Sequence, residues 1–315
     1  MSSLSPSSNR VDVVIPAFNA AKYIGATLES VALQGDIVQS IIVVNDGSTD
    51  ETEQIIQSFS LKYPKLDVCY LKQTNHGLAH ARNAGIQIAR APYIALLDAD
   101  DVWVKHKLEK QLGVFHQNLD SCLGVVYCSY QLIDERDRCI EGRNLIVEPK
   151  AKGDIYSLLL TGNFISGSGS SVLIKSEVFK KVGLFDENLK ASEDWDMWIR
   201  ISREFHFDFV NEPLVQIRVH LDNMQKDFSR MLASELAMLN KFAQHGNRNY
   251  FLLWKIQTIL YKKKMLATQI LGYENSEPWV KSQLTGNQRW LWQLLLPIAN
   301  ATWSPLKKLK KSLSS

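Results

Sequence analysis

The first hundred residues alternate short apolar runs of strand length with longer segments of helical periodicity. The apolar runs predict the strands Val11–Pro16, Ile37–Asn45, Leu66–Leu71 and Tyr93–Leu97. Helices are predicted between these strands, and the connecting turns are short and polar. Such alternation is typical of a mostly parallel, doubly wound sheet that is covered by helices. The predicted fold class is therefore α/β and Rossmann-like.

Polar turns follow three of the predicted strands, at residues 16–19, 45–49 and 98–101. The carboxyl ends of parallel strands meet at one edge of a sheet, and open α/β sheets bind their ligands there. We therefore expect the three turns to converge on a site that suits a nucleotide. No GxGxxG pattern follows the first strand, which counts against a dinucleotide cofactor.

Three carboxylates, Asp98, Asp100 and Asp101, crowd together directly after the fourth predicted strand. Neighbouring negative charges raise one another's pKa, and a hard divalent cation such as Mg²⁺ or Mn²⁺ relieves that cost. The stretch is therefore a candidate metal site. The alternative is a polar turn in which Asp101 is the N-cap of the helix predicted over Lys105–Phe115.

Composition indicates an ordinary globular protein. The chain has 315 residues, of which 45% are hydrophobic and 22% charged, enough for one large α/β domain or for a domain with an appendage. No apolar run reaches the ~20 residues of a membrane-spanning helix. The serine-rich stretch 1–10 is predicted to be a disordered leader, because it lacks the apolar core of a secretory signal. Four cysteines without CxxC spacing favour free thiols and a cytoplasmic location.

The C-terminal region is basic and rich in tryptophan. From Lys255 onward there are ten Lys or Arg and two Glu, and five of the eight tryptophans lie from Trp254 onward. Leu306, Leu309 and Leu313 recur at helical spacing among lysines, which favours a helix on the anionic inner face of the cell membrane. The alternatives are a helical appendage packed on the α/β domain and a dimer contact. No nucleic-acid recognition motif accompanies the charge, so no nucleic-acid partner is expected.

Five motifs follow one another along the chain. They are Val13–Asn19, Val44–Asp50, Asn75-x-Gly77-x-x-x-Ala81-Arg82-Asn83-x-Gly85, Leu97–Asp101 and Ser192–Arg200. In this order they resemble the motifs of glycosyltransferase family 2. The resemblance implies the GT-A fold, with a nucleotide half and an acceptor half on one continuous sheet. It also implies a reaction that inverts the anomeric configuration.

The extent of the resemblance and the composition of the two ends together give the expected domain boundaries. A disordered leader covers residues 1–10, a GT-A domain covers 11–222, and a helical, basic C-terminal region covers 223–315. Within the GT-A domain, residues 11–101 form the nucleotide-binding half and residues 102–222 form the acceptor half.

The same resemblance assigns the nucleotide-sugar donor to residues of the first half. Phe18 and Asp46 flank the base, where an aromatic ring can stack and a carboxylate can accept an imide N–H. The alternatives are a core position for Phe18 and a turn cap for Asp46. Arg82 pairs with the diphosphate or, alternatively, holds the turn at residues 98–101 (the carboxylate turn) in place. The remaining donor-binding residues of the motifs are Pro16, Asn19 and Asp98, and Asp98 contacts the ribose or the water shell of the metal.

The metal and the catalytic base complete the implied site. Asp100 binds Mn²⁺ or Mg²⁺, and His220 reaches back to the metal or the diphosphate unless it is structural. Asp194 is the base that takes the proton of the acceptor hydroxyl, with Glu193 as its neighbour or as the alternative base. The competing interpretation is that both carboxylates only favour the dipole at a helix start.

These expectations describe a metal-dependent, inverting glycosyltransferase. Its donor is a nucleotide-diphospho-sugar, with UDP favoured, and its acceptor is a glycan or lipid-linked hydroxyl in surface polysaccharide or glycolipid synthesis. One alternative is a sugar nucleotidyltransferase, which normally carries a Gly-rich basic loop after the first strand, unlike residues 16–19. Another is a catalytically silent, membrane-docked binding module, although all the acidic motif residues are present.

Overall fold

The structure is a computed structural model that describes residues 9–140, 146–160, 162–165, 167 and 169–220, with seven single residues between 231 and 242. The chain divides into two compact units, residues 1–226 and 227–315. The description below concerns the first unit. Most of the predicted leader and most of the predicted helical, basic C-terminal region lie outside the described residues, apart from those single positions.

In the described part of the chain, nine strands form one sheet. In chain order the strands are β1 (Val11–Ala17), β2 (Val38–Asn45), β3 (Asp67–Lys72), β4 (Tyr93–Leu96), β5 (Val102–Trp103), β6 (Leu123–Ile133), β7 (Ile146–Val147), β8 (Leu173–Lys175) and β9 (His206–Arg218). The order across the sheet is β3-β2-β1-β4-β8-β6-β9-β5, and β7 pairs with β6.

The two halves of the sheet differ in strand direction. Strands β3, β2, β1 and β4 are parallel to one another. Beyond β4 the sheet is mixed, because β8 is antiparallel to both β4 and β6, whereas β9 is parallel to β6. The predicted α/β class is confirmed, and the parallel half coincides with the predicted nucleotide-binding half.

Seven α-helices connect these strands within the described residues. They are α1 (Ile24–Ala32), α2 (Thr52–Lys62), α3 (Leu78–Ile88), α4 (Lys107–Gln117), α5 (Tyr156–Leu159), α6 (Ser176–Val182) and α7 (Glu193–Ile201). The strands and helices predicted for the first hundred residues are present, with ends displaced by up to a few residues. The largest displacement is in α1. The sequence pattern predicts a helix from Ala20, but α1 begins at Ile24 because residues 21–23 form a turn.

Helix α3 packs closely on β1, near the edge of the sheet where the site is predicted. A Cβ atom on Gly85 of α3 would lie 2.4 Å from Cγ1 of Val14 in β1. Such a distance is far below van der Waals contact, so only glycine lets the helix approach this closely. The apolar β1, which is buried along its whole length, thereby supports the helix that carries Arg82 and Asn83.

The longest strand, β9, has no counterpart among the sequence predictions. It pairs with β6 over most of its length, with irregular register where Pro213 lies opposite Ser129. Its last residues pair with the two-residue strand β5, Val102 with Gln216 and Trp103 with Val215. Because β5 directly follows the carboxylate turn, β9 ends beside that turn.

All four cysteines are free thiols, as predicted. Within the described residues, no helix is both long and apolar enough to cross a membrane.

Candidate active site

The carboxylate turn is fixed from two sides. The Thr27 hydroxyl of α1 lies 2.9 Å and 2.8 Å from the carbonyl oxygens of Ala99 and Asp101. On the other side, the Ser170 hydroxyl donates to the Asp101 carboxylate over 2.5 Å and accepts from the backbone N–H of Asp98 over 3.0 Å. These hydrogen bonds fix the position of the turn directly after β4.

Asp101 is an internal anchor of the turn and does not cap a helix. Its carboxylate is buried and accepts from the Arg218 backbone N–H over 3.1 Å, besides the Ser170 hydroxyl. Burial, together with the charges of Asp100 and Asp98, raises its pKa well above the ordinary value. The N-cap alternative is wrong, because α4 begins only at Lys107 and the residue before it is His106.

Asp100, in the carboxylate turn, lies next to His220. His220 Nε2 is 2.9 Å from Asp100 Oδ2, and both side chains are mostly buried. Burial first, and then the neighbouring charge of Asp98, raises the pKa of Asp100, while His220 opposes the rise. The carboxylate and the imidazole are in contact where burial makes negative charge costly, so they are suitable ligands for a divalent cation.

Arg218, which the sequence analysis did not single out, attaches the end of β9 to this turn. Its buried guanidinium donates from Nε to the Asp100 carbonyl oxygen over 2.9 Å and from Nη2 to the Asp137 carboxylate over 2.6 Å. It also lies 4.7 Å from the ring centroid of Tyr23. Arg218 therefore positions His220, two residues later. Its position two residues before His220, which was assigned a role, is the sequence signal that could have identified it.

Asp46 holds a neighbouring turn at the end of β2. Its buried carboxylate accepts from the backbone N–H groups of His76 and Gly77 over 2.9 Å and 2.8 Å, and from Gln73 Nε2 over 2.6 Å. The turn-fixing alternative is therefore realised in the structure. A carboxylate offers about four acceptor positions, so one remains for a ligand N–H.

Phe18 and Asn19 follow β1 and differ in exposure and contacts. The Phe18 side chain is 52% exposed, so the core alternative is wrong for this residue. Asn19 has a positive φ of 48°; its Oδ1 accepts from the Thr49 N–H, and its own N–H donates to the Ser48 hydroxyl, both over 2.9 Å. Asn19 thus joins the turns after β1 and β2. Pro16, by contrast, is buried inside β1.

Arg82 connects the two halves of the site. Its fully buried guanidinium donates to Asp98 Oδ1 from Nη2 and to Glu193 Oε1 from Nη1, each over 2.7 Å. Burial opposes the charge, but Asp98 and Glu193 outweigh it and raise the Arg82 pKa. The arrangement matches the alternative in which Arg82 ties the carboxylate turn in place. The next residue, Asn83, likewise bonds the acceptor half through both backbone groups of Phe185.

Asp194 lies in the first turn of α7, after Ser192, whose φ is +57°. Its carboxylate accepts from the Trp195 N–H over 2.7 Å and from Asn163 Nδ2 over 3.2 Å. Burial first, and then the charge of Glu193, raises the pKa of Asp194 to about 7, against the opposing charge of Arg82. A carboxyl group with this pKa can exchange protons at neutral pH.

The two tryptophans of α7 are packing residues. Trp195 and Trp198 are buried, and Trp195 Nε1 donates to the Leu159 carbonyl oxygen over 2.8 Å. They hold α7 in place behind the two carboxylates.

Comparison with known proteins identifies the family. The sequence pattern of glycosyl transferase family 2 matches residues 12–183. An uncharacterized glycosyltransferase of Rickettsia prowazekii is 37% identical over 215 residues, which are 67% of this chain and 64% of that protein. This chain therefore matches less than two thirds of the length of that relative.

Two solved structures share the fold. S. aureus TarS in complex with UDP-GlcNAc superposes with a TM-score of 0.65 and 16% identity, covering 87% of this chain and 79% of that one. The mannosyltransferase PcManGT from Pyrobaculum calidifontis, in complex with GDP-Man and Mn²⁺, gives 0.60 and 17%, covering 97% and 84%. At such identities the likeness establishes the fold, and the predicted GT-A architecture is confirmed. On the motifs, the fold and the family match, the chain belongs to glycosyltransferase family 2.

Proposed function

We propose that the chain is a metal-dependent, inverting glycosyltransferase that uses a nucleotide-diphospho-sugar, with UDP favoured over GDP. The observation that carries the proposal is the Arg82 bridge, because it joins the carboxylate turn of one half to the Asp194-bearing helix of the other. A leaving-group site and a base are the two parts that an inverting transfer needs on opposite sides of the sugar.

The donor contacts follow from the turns at the site edge. The exposed Phe18 ring offers a face for the base, and the remaining acceptor position of Asp46 suits an imide N–H. Uracil carries such a group, which supports a UDP-sugar. Pro16 and Asn19 shape the backbone beside the base, and Asp98 faces the ribose or the water shell of the metal.

Asp100 and His220 are the proposed ligands of Mn²⁺ or Mg²⁺. The bound cation supplies charge stabilisation to the departing nucleoside diphosphate. An imidazole among the ligands favours Mn²⁺ over Mg²⁺, since Mg²⁺ prefers oxygen donors alone.

Asp194 is the proposed base, with its neighbour Glu193 engaged by Arg82. The acceptor hydroxyl gives its proton to Asp194 while its oxygen forms a bond to the anomeric carbon. The bond from that carbon to the diphosphate oxygen breaks, and the nucleoside diphosphate leaves with the electron pair. Attack from the face opposite the leaving group inverts the configuration.

The proposed acceptor is a glycan or lipid-linked hydroxyl in surface polysaccharide or glycolipid synthesis, and nucleic acid is not a proposed partner. The basic, tryptophan-rich tail supports a peripheral place at the inner face of the cell membrane. A nucleotidyltransferase is disfavoured by the absence of a basic Gly-rich loop after β1, and a silent binding module by the complete set of acidic residues.

A panel of nucleotide-sugars with Mn²⁺ or Mg²⁺ tests the proposal. Thermal shift and release of nucleoside diphosphate are measured for the wild type and for Asp194→Asn. We expect a metal-dependent shift with one donor in both proteins and slow donor hydrolysis in the wild type alone. Release of pyrophosphate would instead establish a nucleotidyltransferase, and a folded protein that responds to no donor would favour the silent module.

A further inference from the structure

Arg82 is enclosed on several sides. A Cβ atom at Gly169 would lie 3.2 Å from Nη2, so the segment at residues 169–171 packs directly on the guanidinium. The ring centroid of Phe185 is 5.5 Å from Cζ. With no exposed surface, Arg82 reaches a bound diphosphate only if this packing opens.

Two carboxylate partners of Arg82 come from distant parts of the chain. Asp98 begins the carboxylate turn, and Glu193 begins α7 directly before Asp194. A buried guanidinium that loses one of two carboxylate partners keeps an incompletely compensated charge, which is costly at this depth. Each ion pair therefore depends on the other through the shared cation.

We propose that Arg82 is a positioning residue that holds the base-bearing start of α7 against the carboxylate turn. It thereby sets the separation between the base and the leaving group. This inference rests on the proposed function, and it replaces the diphosphate contact that the motifs imply for Arg82.

The charges around Asp194 supply a readout that packing alone would not move. The groups facing its carboxylate are Glu193, Arg82, the Asn163 amide and the Trp195 N–H. Glu193 raises the pKa of Asp194 and Arg82 lowers it. Since the base works only when it is ionised, the acid limb of the kcat profile reports this balance.

The first experiment measures kcat against pH in three variants. Arg82→Met should shift the acid limb to higher pH, and Glu193→Gln should shift it to lower pH. Arg82→Lys keeps the charge but has one ammonium group in place of a two-pronged fork, so kcat should fall about 10²-fold through misplacement. Its acid limb should move less than that of Arg82→Met.

The second experiment is a double-mutant cycle on Asp98→Asn and Glu193→Gln, read both in kcat/KM and in urea unfolding. If Arg82 couples the two carboxylates, the double variant should lose about tenfold less than the product of the single losses. The control cycle pairs Asp98→Asn with Glu187→Gln. Glu187 is bonded to Asn83, the neighbour of Arg82 in α3, and its effects should multiply with those of Asp98.

Opposite shifts of the acid limb, together with coupling in the first cycle only, support the positioning role. Unmoved limbs, or independent effects of Asp98 and Glu193 in both readouts, overturn it. The unfolding cycle does not need turnover. If the wild type transfers no sugar but the unfolding cycle still shows coupling between Asp98 and Glu193, the proposed function is wrong and the connection through Arg82 stands. If the unfolding cycle shows independent effects, the connection through Arg82 is wrong as well.

Discussion

The two halves of the site hold their functional residues by different means. In the predicted nucleotide half, Asp46 and Asn19 accept hydrogen bonds from backbone N–H groups of adjacent turns. In the acceptor half and at its border, charged side chains pair with other charged side chains, as in Arg82 with Glu193 and Arg218 with Asp137. Backbone contacts fix a shape whatever the neighbouring side chains are, whereas ion pairs depend on each partner. We therefore expect substitutions in the turns after β1 and β2 to weaken donor binding, and substitutions in the carboxylate turn and the ion-paired part of the site to reduce turnover.

The largest expected effect is that of Asp194→Asn. Loss of a general base typically costs about 10²–10⁴-fold in kcat, while donor KM should hardly change because the residue lies in the acceptor half. A pH profile adds a check. The pKa of Asp194 is about 7, so wild-type kcat should fall tenfold per pH unit below that value as the base is protonated. A profile that is flat down to pH 5 would exclude Asp194 as the base.

The next largest effect is expected for Asp100→Asn and for His220→Ala. Each removes one proposed metal ligand, and turnover should fall about 10²-fold or more as stabilisation of the leaving diphosphate is lost. Activity is measured over a titration with Mn²⁺. We expect His220→Ala to regain part of its activity at high Mn²⁺ concentration, since Asp100 remains. If the Mn²⁺ dependence of this variant equals that of the wild type, His220 is not a ligand.

A smaller effect, confined to donor binding, is expected for Phe18→Ala. Stacking of a base on an aromatic ring is worth about 1–3 kcal/mol, so the donor KM should rise about tenfold with kcat unchanged. Since the ring is half exposed, the free energy of unfolding should stay close to that of the wild type. Leu33→Ala, at another exposed apolar side chain, serves as the control. A drop in kcat with constant KM would contradict the division of labour between the halves.

The smallest effect on chemistry, though not on stability, is expected for Gly85→Ala. The new Cβ would meet Val14 at 2.4 Å, and such overpacking costs about 1–3 kcal/mol of unfolding free energy. Gly113→Ala is the matched control, because nothing lies within 4 Å of a Cβ there and alanine favours the helix. Urea unfolding measures both. Equal stability of the two variants would show that α3 can shift on β1.

The comparison also explains what could be predicted from the sequence. Strands β1 to β4 and their helices have regular local periodicity, so their prediction needed no distant partner. The strand β9 contains Asn211-Glu212-Pro213, which interrupts its apolar run, and its place depends on β6 many residues earlier. Local pattern therefore could not reveal it.

The same limit applies to the site. The motif order placed Asp98, Asp100, Glu193 and Asp194 in candidate roles, and the structure gathers the first and third of these around Arg82. The motif order left two alternatives for Arg82, because the partner of a cationic side chain cannot be inferred from the sequence of its own helix. Arg218 was missed for the same reason, since its partners lie in a turn and a hairpin that only the folded sheet brings near.

The contacts of Arg218 have a consequence for synthesis of the chain. Its partners at Asp100, Asp101 and Asp137 leave the ribosome well before it does, and His220 follows only afterwards. Until β9 is made, the Asp101 carboxylate lacks the backbone N–H of Arg218, and the Asp100 carboxylate lacks the imidazole of His220. Among the described strands, the last one in the chain thus completes the carboxylate turn, and a chain truncated before β9 would lack the proposed metal ligand His220 even if β1 to β4 had already folded.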